Sequence, residues 1–419
     1  MKIVSPGELD FAALIRPGET VGWAQATAEP VFLTRILDGQ AEHCPPFRLF
    51  FVLSFAEGYA GNHPNVTVTA FGGGAGGRRF FAGGGDRAIP ANMSDLCALV
   101  EGGRPRVDIA LLQVAGPDEA GRYNAGIGVE MLREAMAGAR LVIAQQNDRM
   151  PWTEGDTTIE PDEIDMLVPA SHPLVEYRTP PLGPVEEAIA GHVARLVPDR
   201  ATIELGYGAI PEAVTRALGG KSGLGVHSGA VGDGVMRLMQ AGVVDNRHKE
   251  IDPGVTVAMM LMGGAELYRF AERNPALHIR SPRYTHDALV LANFRRFVAI
   301  NSALEVDLTG QCNAETASGR LIGLTGGQVD FVRAANRSPD GRSVIALQST
   351  NRDRSKSRIV ARIADGIVTT PRADADCVVT EHGIAELRGR TLAERAEALI
   401  AIADPAFRAE LRLASERLL

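Results

Sequence analysis

Several features that would narrow the function quickly are scarce or missing from these 419 residues. The four cysteines, Cys44, Cys97, Cys312 and Cys377, lie far apart and form no C-x-x-C pair, which argues against a disulfide framework or a structural zinc site. The nine histidines fall into no H-E-x-x-H pattern or close ligand spacing, so no metal is expected. No apolar run approaches the ~20 residues a membrane span needs, and the N-terminus lacks the apolar stretch of a signal peptide. A cytoplasmic protein that does not enter the membrane is the expectation. Positive charge is not in excess either: the net charge is −8, so no general attraction to nucleic acid or to an anionic membrane surface is expected. A local basic pocket for a small anion stays compatible with that balance.

Glycine, by contrast, is plentiful at 46 residues, gathered in short loops without collagen-like or low-complexity period. The chain is longer than one hydrophobic core usually holds, so two domains are expected. Short β-branched runs alternate with amphipathic helical stretches, the pattern of an α/β protein. In the first half, strands are expected at Val66–Phe71, Val107–Val114 and Arg140–Ala144, with a helix over Gly128–Ala137 between the last two. Prolines at 180, 181 and 184 stop regular structure and mark a linker over Arg178–Pro184. The boundary is placed there, giving domains 1–183 and 184–419. The second half repeats the alternation: strand 201–205, helix 211–218, strand 223–227, helix 233–241 and strand 255–262. Later strands fall at Phe297–Ile300, Leu304–Leu308, Ser343–Gln348 and Cys377–Thr380. A final helix carries Leu392, Ala396, Leu399 and Ile400 at helical spacing.

The most informative stretch is 201–234. The strand 201–205 empties into Gly206-Tyr207-Gly208-Ala209-Ile210-Pro211. Two glycines let backbone approach a ligand closely, and the helix start at Pro211 offers free N–H groups. Such a place suits a thioester carbonyl whose oxygen gains charge during attack. A second loop is expected at His227-Ser228-Gly229-Ala230, and His227 is the one histidine placed for chemistry. Gly219-Gly220-Lys221-Ser222 looks like the tail of a phosphate loop, but its first glycine would fall on Thr215 and the segment ends a helix, so it reads as a helix stop. The glycine-rich segment 72–85 is read either as an anion cradle or as a surface loop.

Further on, Glu305 and Asp307 stand two apart in a strand and so share a face; site carboxylates and arginine-paired edge residues are both open readings. Gly326-Gly327-Gln328-Val329-Asp330-Phe331 again sets glycines at a helix start. Arg352, Arg354, Lys356 and Arg358 concentrate positive charge that fits phosphates or merely decorates an exposed hairpin.

Together these motifs resemble the acetyl-CoA hydrolase/transferase family, which includes 4-hydroxybutyrate, butyryl-CoA:acetate and succinyl-CoA:acetate CoA-transferases. The resemblance spans nearly the whole chain and is sharpest in 206–211, in 301–311 (Asn-Ser-Ala-Leu-Glu-Val-Asp-Leu-Thr-Gly-Gln), in 326–331 and in 378–389. It implies two similar α/β domains of the class I CoA-transferase (NagB/RpiA-like) kind, the second binding CoA. Acyl-CoA and small carboxylates would be the partners, coenzyme A a substrate or product with no further cofactor, and the assembly a homo-oligomer. Carried over by position, Gly206, Tyr207, Gly208, Ala209 and Ile210 would line the thioester, Gly327 would sit near the carbonyl, Gly326 would belong to the CoA-binding residues, and Lys356 would hold a CoA phosphate.

The resemblance also implies a glutamate that attacks the acyl-CoA and carries the group covalently. Flanks Leu224–Ser228 and Asp233–Val235 match the family without a gap, yet the glutamate's position is Gly229. Two residues before Gly206, where the family commonly has glutamine, stands Glu204. Glycine cannot form the covalent intermediate. The expectation is therefore hydrolysis of a short-chain acyl-CoA with Glu204, and after it Glu305, as general base. The alternatives are CoA transfer through a relocated glutamate (Glu204 or Glu305) and, in another class, a non-catalytic acyl-CoA binder.

Overall fold

Runs such as Ile109–Val114 are buried along their whole length, so both faces of the strand must be apolar and covered, the condition of a parallel sheet between helices. The computed structural model describes residues 1–24, 26–54, 58–59, 62–71, 88–323 and 325–418, and the glycine-rich segment 72–85 lies outside them. The chain divides into two compact units, 1–178 with 257–285 and 179–256 with 286–419. This is not the single cut expected at 183/184, because residues 257–285 pack with the N-terminal unit. The prolines do break the backbone pattern locally: residues 170–183 carry no helix or strand, and Pro184 opens the helix Pro184–Leu196, a position where its missing N–H costs nothing.

In the first unit seven strands lie in the order Lys2–Ile3, Met166–Pro169, Leu141–Gln146, Ile109–Val114, Thr20–Trp23, Phe47–Phe51, Val66–Ala70, every pair parallel. Parallel neighbours need a crossover, and helices such as Val31–Gln40 and Leu132–Gly138 supply it. The excursion 257–285 joins this unit through backbone and side chain together: Leu261 N–H donates to Ile127 O at 2.8 Å, and the Thr27 hydroxyl donates to Leu261 O at 2.5 Å.

The second unit repeats the plan. Its strands run Gly225–Val231, Thr202–Leu205, Phe297–Ser302, Arg342–Ala346, Cys377–Thr380, Gly383–Glu386. The last pairing is antiparallel and the others are parallel. Helices Ala209–Ala217, Asp233–Gln240, Gln328–Arg337 and Leu392–Ile402 connect or flank them. A further helix, Arg408–Leu418, follows the one expected to be last. The strand expected at 223–227 runs instead over Gly225–Val231, so His227, Ser228, Gly229 and Ala230 belong to a strand and not to a loop. Ligands of parallel α/β sheets bind beyond the carboxyl ends of the strands, and in this unit those ends carry the motifs of interest.

Candidate active site

The central strand Thr202–Leu205 is held on both sides. Its ladder to Phe297–Ser302 pairs Glu204 with Ala299 and Leu205 with Ile300. On the other side the ladder runs only through Thr202 with Gly225 and Ile203 with Val226. Beyond that, the buried Ser228 hydroxyl takes over: it accepts from Leu205 N–H at 3.3 Å and donates to Leu205 O at 3.0 Å. One side chain thus satisfies both backbone groups of the residue before Gly206, where unpaired groups would be costly.

Past Leu205 the chain turns. Gly206 N–H donates to Ile300 O at 3.1 Å. Gly208 adopts φ +124° and caps the helix Ala209–Ala217, a conformation that side chains rarely tolerate. The helix therefore starts two residues earlier than Pro211 and places Pro211 within its first turn. Tyr207 is exposed at the tip, while Gly206, Ala209 and Ile210 are partly open.

Glu204 is only 3% exposed. The Asn301 amide donates to its Oε2 at 2.7 Å. Burial pushes its carboxyl up to about 8, against the opposing pull of the Asn301 and Ile300 hydrogen bonds; desolvation penalises the charged form more than two donors restore it. A carboxyl that titrates near neutrality is equipped to move protons.

Gly229 stands in ordinary strand backbone with no left-handed φ, so a side chain is not forbidden there. A β-carbon at 229 would lie 3.2 Å from His286 Nε2, 3.3 Å from His286 Cε1 and 3.7 Å from Phe331 Cε2. These are the nearest atoms among the described residues, and no carboxylate is among them. The same imidazole reaches the next glycine motif: a β-carbon at Gly327 would come within 2.5 Å of Nε2, so a side chain there would force the imidazole to move. Gly327 caps the helix Gln328–Arg337, and Gly326 before it has φ +58°. His286 rests on Phe331 at 4.6 Å between ring centroids.

The structure thus gathers Glu204, Gly206, Ser228 and Asn301 at one place, and Gly229, Gly327 and His286 at another, linked through the adjacent Ser228 and Gly229. Glu305 stands apart, accepting from the Asn313 amide at 3.2 Å. Asp307, on the same short strand, caps a turn, accepting from the backbone and side chains of Thr309 and Gln311. Lys356 projects from an exposed turn closed by Lys356 N–H to Asn351 Oδ1 at 2.9 Å. Of the neighbouring arginines, Arg354 pairs with Asp404 at 3.0 Å, and Arg358 is half-buried beside the charges of Glu305 and Glu381. His227 is fully buried against Phe294 at 4.9 Å. Sequence reasoning missed His286, a lone histidine with no spacing signal, and the role of Asn301, whose partner lies 97 residues away.

Residues 1–176 match the acetyl-CoA hydrolase/transferase N-terminal domain and residues 263–415 its C-terminal domain. The chain is 44% identical to the 4-hydroxybutyrate coenzyme A transferase of Clostridium kluyveri, over 77% of this chain and 75% of that one. Among solved structures, RipA from Yersinia pestis superposes with a TM-score of 0.93 at 32% identity, covering 100% of this chain and 97% of RipA. The 4-hydroxybutyrate CoA-transferase of Porphyromonas gingivalis gives a TM-score of 0.83 at 32% identity, covering 100% of this chain and 98% of that one. With both domains matched and the α/β architecture shared with a CoA-transferase, the chain belongs to the acetyl-CoA hydrolase/transferase family.

Proposed function

We propose that this chain hydrolyses the thioester of a short-chain acyl-CoA, with Glu204 as the general base that draws a proton from the attacking water. The observation that carries this reading is the surroundings of Gly229. Its backbone accepts any residue, yet it has no side chain, and the atoms nearest the empty position belong to an imidazole and a phenyl ring. A covalent carboxylate route is thereby without its nucleophile at that place, while a buried carboxyl that titrates near neutrality lies on the adjoining strand. Backbone N–H groups at the helix start after Gly208 receive the developing oxyanion. In this reading Gly206, Tyr207, Gly208, Ala209 and Ile210 line the thioester, Gly327 approaches its carbonyl, Gly326 belongs to the CoA-binding residues, and Lys356 meets a CoA phosphate.

Transfer of CoA to a carboxylate is the second reading, favoured by the 44% identity to a named CoA transferase; it requires Glu204 or Glu305 as a relocated nucleophile. A mass-spectrometric time course with short acyl-CoAs and mixed carboxylates separates the readings. Free CoA without a new ester is the outcome expected of hydrolysis. A new CoA ester establishes transfer, and unchanged acyl-CoA with measurable binding leaves only a binder. Gly229→Glu adds a positional check. The imidazole must give by a few tenths of an ångström to admit the β-carbon, after which transfer to acetate should appear where the parent shows none.

A further inference from the structure

Within the second unit, a cleft of about 200 Å³ opens beside the last turn of the helix Gln328–Arg337. Its charged lining is Arg333, Arg337, Arg388, Arg395, Asp374 and Asp376. Both carboxylates are already engaged. Asp374 takes the Arg333 guanidinium at 2.9 Å. Asp376 is buried; burial pushes its carboxyl up, and the charges of Arg342 and Arg388 pull it back. The remaining arginines are oriented without being neutralised. Arg388 donates to Asn336 O at 2.7 Å, and Arg395 donates to Thr309 O at 3.1 Å and to Arg372 O at 2.6 Å. A carbonyl fixes the direction of a guanidinium fork and leaves its charge and its other N–H groups in place. Arg337 is exposed and pairs with no carboxylate among the described residues. Burial and the like charge of Arg372 hold Arg395 below the usual arginine range. Four arginines thus face two aspartates, a surplus of two positive charges.

We propose that this cleft is a second anion site, in which Arg337, Arg388 and Arg395 hold the phosphate group of a small soluble molecule. A phosphate group carries about −1.5 to −2 near pH 7, which matches the surplus, and its oxygens match the guanidinium fork. The cleft is smaller than the ~300–1,000 Å³ of pockets that enclose a drug-sized ligand, so it takes the phosphate and leaves the rest of the molecule in solvent. Its position separates it from the thioester. The 206–210 turn and Asn301 lie at the carboxyl ends of Thr202–Leu205 and Phe297–Ser302. Asp374 and Asp376 instead precede the strand Cys377–Thr380, and Arg337 precedes Arg342–Ala346. These strands run parallel to Phe297–Ser302 in one sheet. A strand of five residues spans ~15 Å, so the two sites lie at opposite ends of the sheet. Binding of phosphate in the cleft is independent of the acyl-CoA reading; only its distinctness from a CoA site rests on that reading.

The test is isothermal titration calorimetry of the full chain with inorganic phosphate, at ionic strength held constant with chloride. One phosphate per chain should bind saturably. Arg337→Ser removes an exposed side chain that pairs with no carboxylate, so circular dichroism should be unchanged while phosphate affinity falls roughly tenfold or more, the loss of one charge-assisted contact. Arg337→Lys keeps the charge without the fork and should fall between. ADP as a competing probe separates the sources: displacement of phosphate identifies a nucleotide, and phosphate left in place identifies the free ion, each with the cleft occupied as proposed. No saturable phosphate binding, or equal affinity in the parent and Arg337→Ser, would overturn the proposal. Succinate bound as tightly as phosphate would overturn the ligand class. Displacement of the bound phosphate by acetyl-CoA would overturn the separate site and assign the cleft to CoA's own phosphates. A parent that binds phosphate in the cleft but neither binds nor turns over any acyl-CoA overturns the acyl-CoA reading and leaves this anion site standing.

Discussion

Glu204 in the second unit and Glu130 in the first are both buried carboxyls, and burial pushes each to about 8. Their surroundings differ sharply. Glu204 sits in a regular strand and receives the Asn301 amide at 2.7 Å. Glu130 has φ +23°, in the left-handed region, and neither of its carboxyl oxygens has a hydrogen-bond partner among the described residues. It faces a cavity it shares with Trp23, whose indole N–H is also without a partner among the described residues. A raised pKa therefore does not mark a catalytic group by itself. At Glu204 the carboxyl is oriented, on a strand end where ligands bind; at Glu130 the protein carries an unsatisfied group that costs roughly 1–3 kcal/mol.

The contrast can be broken most directly at Glu204. Glu204→Gln should lower acyl-CoA hydrolysis by roughly 10²–10⁴, the usual contribution of a positioned base, with folding intact by circular dichroism. In the parent, hydrolysis should rise about tenfold per pH unit up to about 8 and then level, because only the ionised carboxyl accepts the proton. A flat profile between pH 6 and 8 would remove Glu204 from the chemistry. Glu130 should behave in the opposite sense. Glu130→Met removes an unpartnered polar group and keeps an unbranched side chain, so urea denaturation should show a gain of about 1–3 kcal/mol at pH 6 with turnover unchanged.

The gain should grow toward pH 8.5. A carboxyl whose folded pKa is raised from 4.5 to about 8 contributes stability that is complete below 4.5 and is lost as pH rises through 8. Removing Glu130 removes that loss. Asn301→Ala sharpens the comparison from the other side by making Glu204 more like Glu130. It deletes the donor that favours the carboxylate, so the midpoint of the rate profile should move up by about one pH unit and the rate at pH 7 fall about tenfold. Ser228→Ala should have the smallest effect, about 1 kcal/mol of stability, because it strips one hydroxyl from both backbone groups of Leu205.

Legibility in the sequence followed the range of the interaction. The alternation that announced two α/β halves depends on local periodicity, and Thr202–Leu205, Phe297–Ser302 and Cys377–Thr380 lie within a few residues of their expected spans. The 206–211 turn was readable because Gly208 needs a backbone angle that few residues adopt. Residues 227–230 were misplaced in a loop because Gly229 and Ala230 look like loop chemistry, whereas neighbouring strands draw them into the sheet. The return of 257–285 to the first unit left no local mark, since Val257–Leu261 reads as a buried strand wherever it packs. Glu204 was singled out by its departure from the family pattern, but its Asn301 partner and the wedge of His286 between Gly229 and Gly327 are contacts across long sequence separations. Such contacts carry no period and no spacing.

The central claim is that water, deprotonated by Glu204, attacks the thioester directly without a covalent carboxylate. A single turnover of acetyl-CoA in H2 18O, with excess enzyme and equimolar propionate present, tests it by mass spectrometry of the acid, the CoA species and the digested protein. The account expects one 18O in the released acetate, no propionyl-CoA, and unlabelled Glu204 and Glu305 peptides. Propionyl-CoA, or 18O in either glutamate, would contradict it and establish a covalent glutamyl route through a residue other than position 229.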